Sequence, residues 1–210
     1  MRAFDSFDEV AADRELEESL VVRSIERSVE ELLLPALESA AARDGREAEL
    51  EHACRWAIGW LHAARRLAAP ATRSEGVLLL DSGSQVDVDG VYVQALELFL
   101  RRAGLRVLLL SADLPDARFA NALRALRPAA VVICGGAASL DVLGGPLRRV
   151  LAAAPNVRLA GYRAARLVSG RSGIPTIGDG PAEAIDSLPN LLALAPAPPI
   201  DGTARLRFGS

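Results

Sequence analysis

Three aspartates lie close together in the segment that follows the first strongly apolar run of the chain. Asp81, Asp87 and Asp89 all fall within residues 81–90, directly after the run at 77–80. Carboxylates at this spacing could bind a metal ion or move a proton, but aspartates also favour turns and the first turn of a helix, where the helix dipole stabilises a negative charge. We expect the second role, and therefore no catalytic residue in this segment.

Glycines follow two later apolar runs, at positions where a ligand could approach the backbone. The residues concerned are Cys134, Gly135, Gly136, Gly161 and Tyr162. Glycine has no side chain to exclude a flat or bulky ligand, but it also permits sharp turns without any ligand. The sequence leaves both interpretations open.

The two histidines of the chain, His52 and His62, both lie in one predicted helix. Trp56 and Trp60 follow His52 at four-residue steps, so the three side chains share one face of that helix. Such a stripe could stack on a tetrapyrrole, or offer it an axial imidazole. The favoured interpretation is a helix–helix core with the histidine half-buried at its edge.

Composition argues against several classes of function. All 24 basic residues are arginines, so no lysine is present for a Schiff base, a phosphate loop or a receiver domain. The first apolar run is not followed by Gly-x-Gly-x-x-Gly, which argues against an ordinary dinucleotide site. The formal net charge of −3 predicts that DNA is bound only through a domain not present in this chain. No apolar run approaches the roughly 20 residues that cross a bilayer, so we expect a cytoplasmic protein with no membrane contact.

The apolar periodicity predicts a helical bundle segment over residues 1–69. Residues 1–14 form either a loose lead-in or part of a truncated helix. A helix from about Glu15 to Ala42, kinked or broken at Pro35, and a second helix over residues 47–67 follow. An α/β domain is predicted over residues 75–195, followed by a tail over residues 196–210.

Five short apolar runs alternate with amphipathic helices in the second unit. The predicted strands are 76–80, 106–110, 129–134, 157–160 and 174–177, and the predicted helices are 89–103, 115–126, 141–153 and 181–192. This alternation is typical of an α/β fold with a five-stranded, parallel, doubly wound, flavodoxin-like sheet. A ligand crevice in such a sheet lies beyond the carboxyl ends of the strands, where the strand order reverses.

This layout resembles the cobalamin-binding domain family, and within it most closely the effector part of light-sensing MerR-family repressors of the CarH/LitR type. The resemblance covers roughly residues 20–195. It rests on residues 29–35 (Val-Glu-Glu-Leu-Leu-Leu-Pro), on Glu51-His52, and on residues 90–105, from Gly90 to the stretch Arg-Arg-Ala-Gly-Leu. It implies a bundle that covers the upper face of a corrin, with Glu51 and His52 near it.

The residues that would hold the corrinoid depart from the family pattern. The family places Asp-x-His-x-x-Gly after the first strand, with the histidine ligating cobalt, whereas this chain keeps Gly90 and has Asp87 at the histidine position. A carboxylate is a hard oxygen donor, less suited to cobalt than imidazole. Residues 134–136 are Cys-Gly-Gly where the family has Ser-x-Leu, and residues 160–161 are Ala-Gly where it has Gly-Gly.

The resemblance implies the sensory or effector module of a transcriptional regulator, and the departures predict that it lacks histidine-ligated cobalamin; we expect it not to be an enzyme. We expect no cofactor or an unknown one, with cobalamin and haem as the candidates. Two alternatives stay open, a tetrapyrrole-binding sensor or antirepressor and a corrinoid methyl-carrier component of an enzyme. We also expect a homo-oligomer or a regulatory protein partner. The candidate binding residues are Asp87, Gly90, Cys134, Gly135, Gly136, Gly161, Tyr162, His52 and Trp56.

Overall fold

The computed structural model of the chain describes residues 2–83, 86–136, 140–165 and 174–193. The helical segment consists of a 3-10 turn (Arg2–Ser6), α1 (Glu9–Val22), α2 (Ile25–Ser28), a π turn (Val29–Leu33), α3 (Leu34–Ala41) and α4 (Glu47–Arg66). The α/β unit consists of β1 (Gly76–Asp81), α5 (Val88–Arg102), β2 (Arg106–Ser111), α6 (Asp116–Leu126), β3 (Pro128–Cys134), α7 (Leu140–Ala153), β4 (Arg158–Gly161), a 3-10 turn (Arg163–Ala165) and α8 (Pro181–Ala193).

The N-terminal residues are helical, which agrees with the expected part of a helix at residues 1–14 and rules out the alternative of a loose lead-in. Helix α1 begins at Glu9 because the Asp8 carboxylate accepts a hydrogen bond from the Ala11 backbone N–H and caps the helix. Phe4 is buried, and its ring meets that of Trp56 edge-on with centroids 5.5 Å apart. Burial of an aromatic ring anchors this segment to the bundle, a contact that its weak periodicity does not reveal.

The long helix predicted from Glu15 to Ala42 is interrupted twice. The first break was not foreseen: Arg23 has an extended backbone, and the Ser24 hydroxyl caps α2. The irregularity expected at Pro35 takes the form of the π turn directly before α3. Proline has no N–H to donate and clashes with the preceding turn of a regular helix. A wider turn therefore lets the helical path continue, with Pro35 in the first turn of α3.

The four strands form a parallel sheet in the order β2-β1-β3-β4. Residues 76–80 of the central strand β1 are fully buried because helices cover both faces of the sheet. On one face Val77 and Leu79 join a core that also contains residues of α3, α4, α5 and α8, whereas Leu78 and Leu80 pack with α6 and α7 on the other. The helical segment and the α/β unit thus share one hydrophobic core.

The fifth strand, predicted at 174–177, is wrong; the described residues form a four-stranded sheet with one additional parallel bridge between Gly161 and Thr176. The Gly161 N–H donates to the Pro175 carbonyl (2.8 Å), and the Ile177 N–H donates to the Gly161 carbonyl (2.9 Å). Pro175 has no N–H with which to continue the ladder, so the pairing stops after one residue.

No helix in the described ranges is long and apolar enough to span a membrane. The tail predicted over residues 196–210 lies outside the described residues.

Candidate functional site

The strand order reverses between β1 and β3, because β2 lies on one side of β1 and β3 on the other. Ligands of doubly wound sheets bind beyond the carboxyl ends of the strands at such a reversal. Asp81 and Ser82 follow β1 at this point, and Gly135 and Gly136 follow β3. The structure therefore places Gly135 and Gly136, two of the predicted site residues, at the reversal of strand order.

Ser82 joins the ends of the two strands. Its N–H and its hydroxyl both donate to the Cys134 carbonyl, at 3.0 and 2.8 Å, and the hydroxyl lies 3.2 Å from the Gly135 carbonyl. Gly135 has φ +91°, and a Cβ at this position would lie 2.5 Å from the Gly83 nitrogen. Gly135 is thus required by a close approach of two backbone segments. At Gly136 the nearest atom to such a Cβ is Asp89 Oδ2 at 3.7 Å, which is ordinary contact.

Asp87, at the position of the family's ligating histidine, is the N-cap of α5. Its backbone is extended, and its carboxylate accepts a hydrogen bond of 2.8 Å from the Gly90 N–H. Asp87 and Gly90 are therefore brought together as a helix start. Burial, with a smaller contribution from the negative charge of Asp87, raises the pKa of Asp81. A nearby negative charge disfavours the charged form of a partly buried carboxylate such as that of Asp81.

Arg163 follows β4 and connects the bundle to the crevice. We call Arg163, Asp89, Tyr92 and Glu38 the Arg163 cluster. The guanidinium donates to Asp89 Oδ1 (2.9 Å) and to the Asp179 carbonyl (3.1 Å), lies 3.5 Å from Glu38 Oε1, and stacks 3.4 Å above the centre of the Tyr92 ring. The Tyr92 hydroxyl donates to Glu38 Oε1 (2.7 Å). Burial, followed by this bond to Glu38, raises the pKa of Tyr92 to about 12.

The Arg163 cluster is the main feature that sequence reasoning missed. Its members come from α3, α5 and the turn after β4, and Glu38 and Arg163 are separated by 125 residues. Arg163 itself follows the glycine-bearing end of the fourth predicted strand, which is the signal that could have marked it. Nothing in the local pattern marks Glu38 or Tyr92 as its partners.

A second polar contact connects the bundle to α8. Glu30, in the π turn, accepts a hydrogen bond of 2.7 Å from the Ala182 N–H in the first turn of α8. A carboxylate at this end of a helix is favoured by the free N–H groups and by the dipole. Together with the Arg163 cluster, this contact fixes the bundle over the edge of the sheet.

Tyr162 is fully buried next to the end of β4. Its N–H donates to the Ile133 carbonyl (3.0 Å), whereas its hydroxyl has no hydrogen-bond partner among the described residues. Burial raises the pKa of this phenol well above its ordinary value, so the hydroxyl stays protonated. Gly161 is occupied in the backbone pairing with residues 175–177.

His52 and Trp56 pack against the N-terminal segment. The His52 ring lies 5.2 Å from that of Phe7, its Nε2 is 3.9 Å from a Glu9 carboxylate oxygen, and Trp56 meets Phe4. These contacts support the interpretation of the stripe as part of a helix–helix core. The structure does not group the two side chains with the glycines at the ends of β1 and β3.

The potential metal-ligating side chains of the described residues do not form a cluster. No group of three or more histidine, cysteine, aspartate or glutamate side chains is placed to hold a metal ion there. Cys54 and Cys134 are both buried free thiols. Burial raises the pKa of Cys54 to about 11 and that of Cys134 well above its usual value, so neither is a thiolate at neutral pH.

The residues at the crevice do not fit a corrinoid with a histidine ligand from the sheet. Both histidines of the chain lie on α4, and the Asp87 carboxylate is engaged by the backbone of α5. The space beside Gly135 is filled by Gly83 and Asp81, and the junction between bundle and sheet is occupied by the Arg163 cluster.

No protein-family model matches the chain, and no curated protein matches its sequence. Among solved structures, the chain is similar to the monomethylamine corrinoid protein of Methanosarcina barkeri, with 12% identity, a TM-score of 0.60, and coverage of 90% of this chain and 94% of that one. A cobalamin-binding protein from Desulfitobacterium hafniense DCB-2 matches with 14% identity, a TM-score of 0.43, and coverage of 90% and 95%. The first of these likenesses shows the fold: a parallel α/β sheet surrounded by helices, of the kind found in a corrinoid protein.

Proposed function

We propose that this chain is the effector module of a cytoplasmic regulatory protein, that it is built on a corrinoid-protein fold, and that it acts through protein contacts without a histidine-ligated corrinoid. The main observation behind this proposal is the Arg163 cluster. Side chains from α3, α5 and the turn after β4 already bond one another across the junction of bundle and sheet, so the two parts are held together without a bridging ligand.

Exposed apolar side chains on α1 supply a surface for such contacts. Val21 and Val22 are 84% and 77% exposed at the end of the helix, and Val10 is 71% exposed. Large apolar residues grouped on a solvent-facing helix favour association with another protein surface. We propose self-association through this face, with regulation exerted by a shift in that equilibrium.

Sedimentation velocity of the purified chain over a wide range of concentrations tests this proposal. We expect the sedimentation coefficient to rise with concentration, and the double variant Val21→Ser/Val22→Ser to sediment as a monomer. The single variant Val10→Ser, on the same surface of α1, should also weaken association, but less than the double variant, since it removes one apolar side chain. A strict monomer at every concentration, with and without hydroxocobalamin, would contradict the proposal.

A corrinoid methyl-carrier protein is the second candidate, since the likeness to the monomethylamine corrinoid protein extends over 90% of this chain, bundle included. Such a carrier would have to hold its corrinoid without a histidine from the sheet. A monomeric protein that retains added methylcobalamin through desalting would favour this candidate over the regulatory one.

A further inference from the structure

Strand β2 is an edge strand with a free side. Among the described strands it pairs only with β1, and the Arg106 N–H donates to the Glu75 carbonyl on that side. Successive residues of a strand direct their backbone groups to opposite sides, so Val107 and Leu109 direct theirs away from β1. The Arg101 guanidinium donates to the Val107 carbonyl (2.8 Å), in agreement with this alternation.

A groove runs along this free side, between β2, the end of α4 and α5. It consists of two adjoining cavities of about 460 and 530 Å³, which share Arg65, Arg101 and Leu108 in their walls. Arg66 lines the second cavity, and Arg106 lines the first. Four arginines thus surround the free edge, while Glu97 is the one carboxylate in these walls.

Glu97 does not cancel the positive charge of the groove. It is buried and shared by Arg65 and Arg101, whose nitrogens lie 2.5 and 2.8 Å from its oxygens. One carboxylate offsets one of these two cations, and the exposed Arg66 and Arg106 add two more. A second copy of β2 would bring the same arginines face to face, which like-charge repulsion disfavours. The groove fits a partner of negative charge.

We propose that the free edge of β2 binds an acidic, extended peptide segment of a partner protein as an added strand. The backbone of Leu109 pairs with the peptide, and the arginines hold its carboxylates. This surface is distinct from the crevice between β1 and β3, so the proposal does not depend on what the crevice binds.

Fluorescence anisotropy tests the proposal with the full chain and a fluorescein-labelled peptide of alternating glutamate and valine. We expect saturable binding that weakens at high salt, and no binding of the matching lysine–valine peptide. A glutamate–valine peptide that is N-methylated at every residue keeps its charge but has no backbone N–H to donate on either edge, and should bind at least about tenfold more weakly. Equal affinity for the N-methylated peptide, or tighter binding of a single-stranded oligonucleotide of equal charge, would overturn the proposal.

Charge reversal locates the binding surface. Arg66→Glu and Arg106→Glu should each weaken peptide binding about fivefold. Arg55→Glu is the control, because it makes the same change of charge on α4 at an exposed residue that pairs with Glu51 and does not line the groove. The affinity of this variant for the peptide should stay within about twofold of the wild type. Circular dichroism checks the fold of each variant. An equal loss in all three would refute the proposed groove, because it would assign the attraction to net charge alone.

Discussion

Arg163→Ala is expected to destabilise the chain by about 3 kcal/mol. The variant loses a charge-assisted hydrogen bond to Asp89, worth roughly 1.5 kcal/mol when partly exposed. It also loses the stacking on Tyr92, worth about 1 kcal/mol, and the bond to the Asp179 carbonyl, worth about 0.5 to 1 kcal/mol. The Arg163 side chain is only 20% exposed, so solvent compensates for little of this loss.

Arg163→Gly is expected to cost less than Arg163→Ala, although glycine has no side chain. Arg163 has φ +49°, a left-handed conformation that glycine adopts freely and alanine does not, and the difference is about 1 kcal/mol. The glycine variant should therefore be about 2 kcal/mol less stable than the wild type. This order of the two variants follows from the backbone angle.

Urea unfolding, followed by far-ultraviolet circular dichroism, measures the loss of unfolding free energy in Arg163→Ala and in Arg163→Gly. The comparison holds when the dependence of that free energy on urea is the same in each variant as in the wild type. Arg127 is the matched control, because it has φ +50° at the end of α6 and an exposed side chain. Arg127→Gly should raise the stability by up to about 1 kcal/mol. An Arg163→Gly variant as stable as the wild type, or less stable than Arg163→Ala, would refute the reasoning.

Three further changes test the crevice by the same unfolding measurement. Asp87→Ala should cost about 1 kcal/mol by removing the cap of α5, whereas Asp87→Asn, which can still cap the helix, should cost little; equal losses would contradict the capping role. Gly135→Ala should cost at least about 2 kcal/mol because of the short contact and the positive φ, and Gly136→Ala less than about 1 kcal/mol; the reverse order would contradict the loop geometry. Burial raises the pKa of Asp81 in the folded chain above its ordinary value of 3.8. The contribution of Asp81 to the free energy of unfolding is therefore fully present below pH 3.8 and is lost as the pH rises through the raised pKa. Asp81→Asn should therefore stabilise the chain at neutral pH and not in acid; a gain independent of pH would contradict this assignment.

The regular elements of the α/β unit could be predicted because each depends on local apolar patterning. Strands β1 to β4 and helices α5 to α8 lie close to the predicted ranges, since buried parallel strands are short apolar runs and the helices between them are amphipathic. The run at 174–177, Ile-Pro-Thr-Ile, is apolar only at its ends, and Pro175 limits its pairing to one residue. A proline within this run was the available sign that this strand would not form in full.

The candidate site was predictable in position and much less so in its contacts. The carboxyl ends of β1 and β3 follow from topology, and Asp87 as a helix start follows from the preference of aspartate for N-caps. The Arg163 cluster depends on how the bundle is placed over the sheet, which brings Glu38 to Tyr92 across 54 residues. Neither the apolar periodicity nor the spacing of residues in the sequence indicates how the bundle is placed over the sheet.

Loss of corrinoid binding can be tested by the visible absorption spectrum of the full chain after dark incubation with hydroxocobalamin, methylcobalamin or adenosylcobalamin and subsequent desalting. We expect a colourless protein, because no sheet histidine is present to ligate cobalt and the Arg163 cluster occupies the junction. Asp87→His, checked for folding by circular dichroism, provides the comparison with a ligand supplied at that position. A wild-type protein that retains the corrinoid with a shifted spectrum would show that the chain binds corrinoid without a histidine from the sheet, contrary to the proposed function.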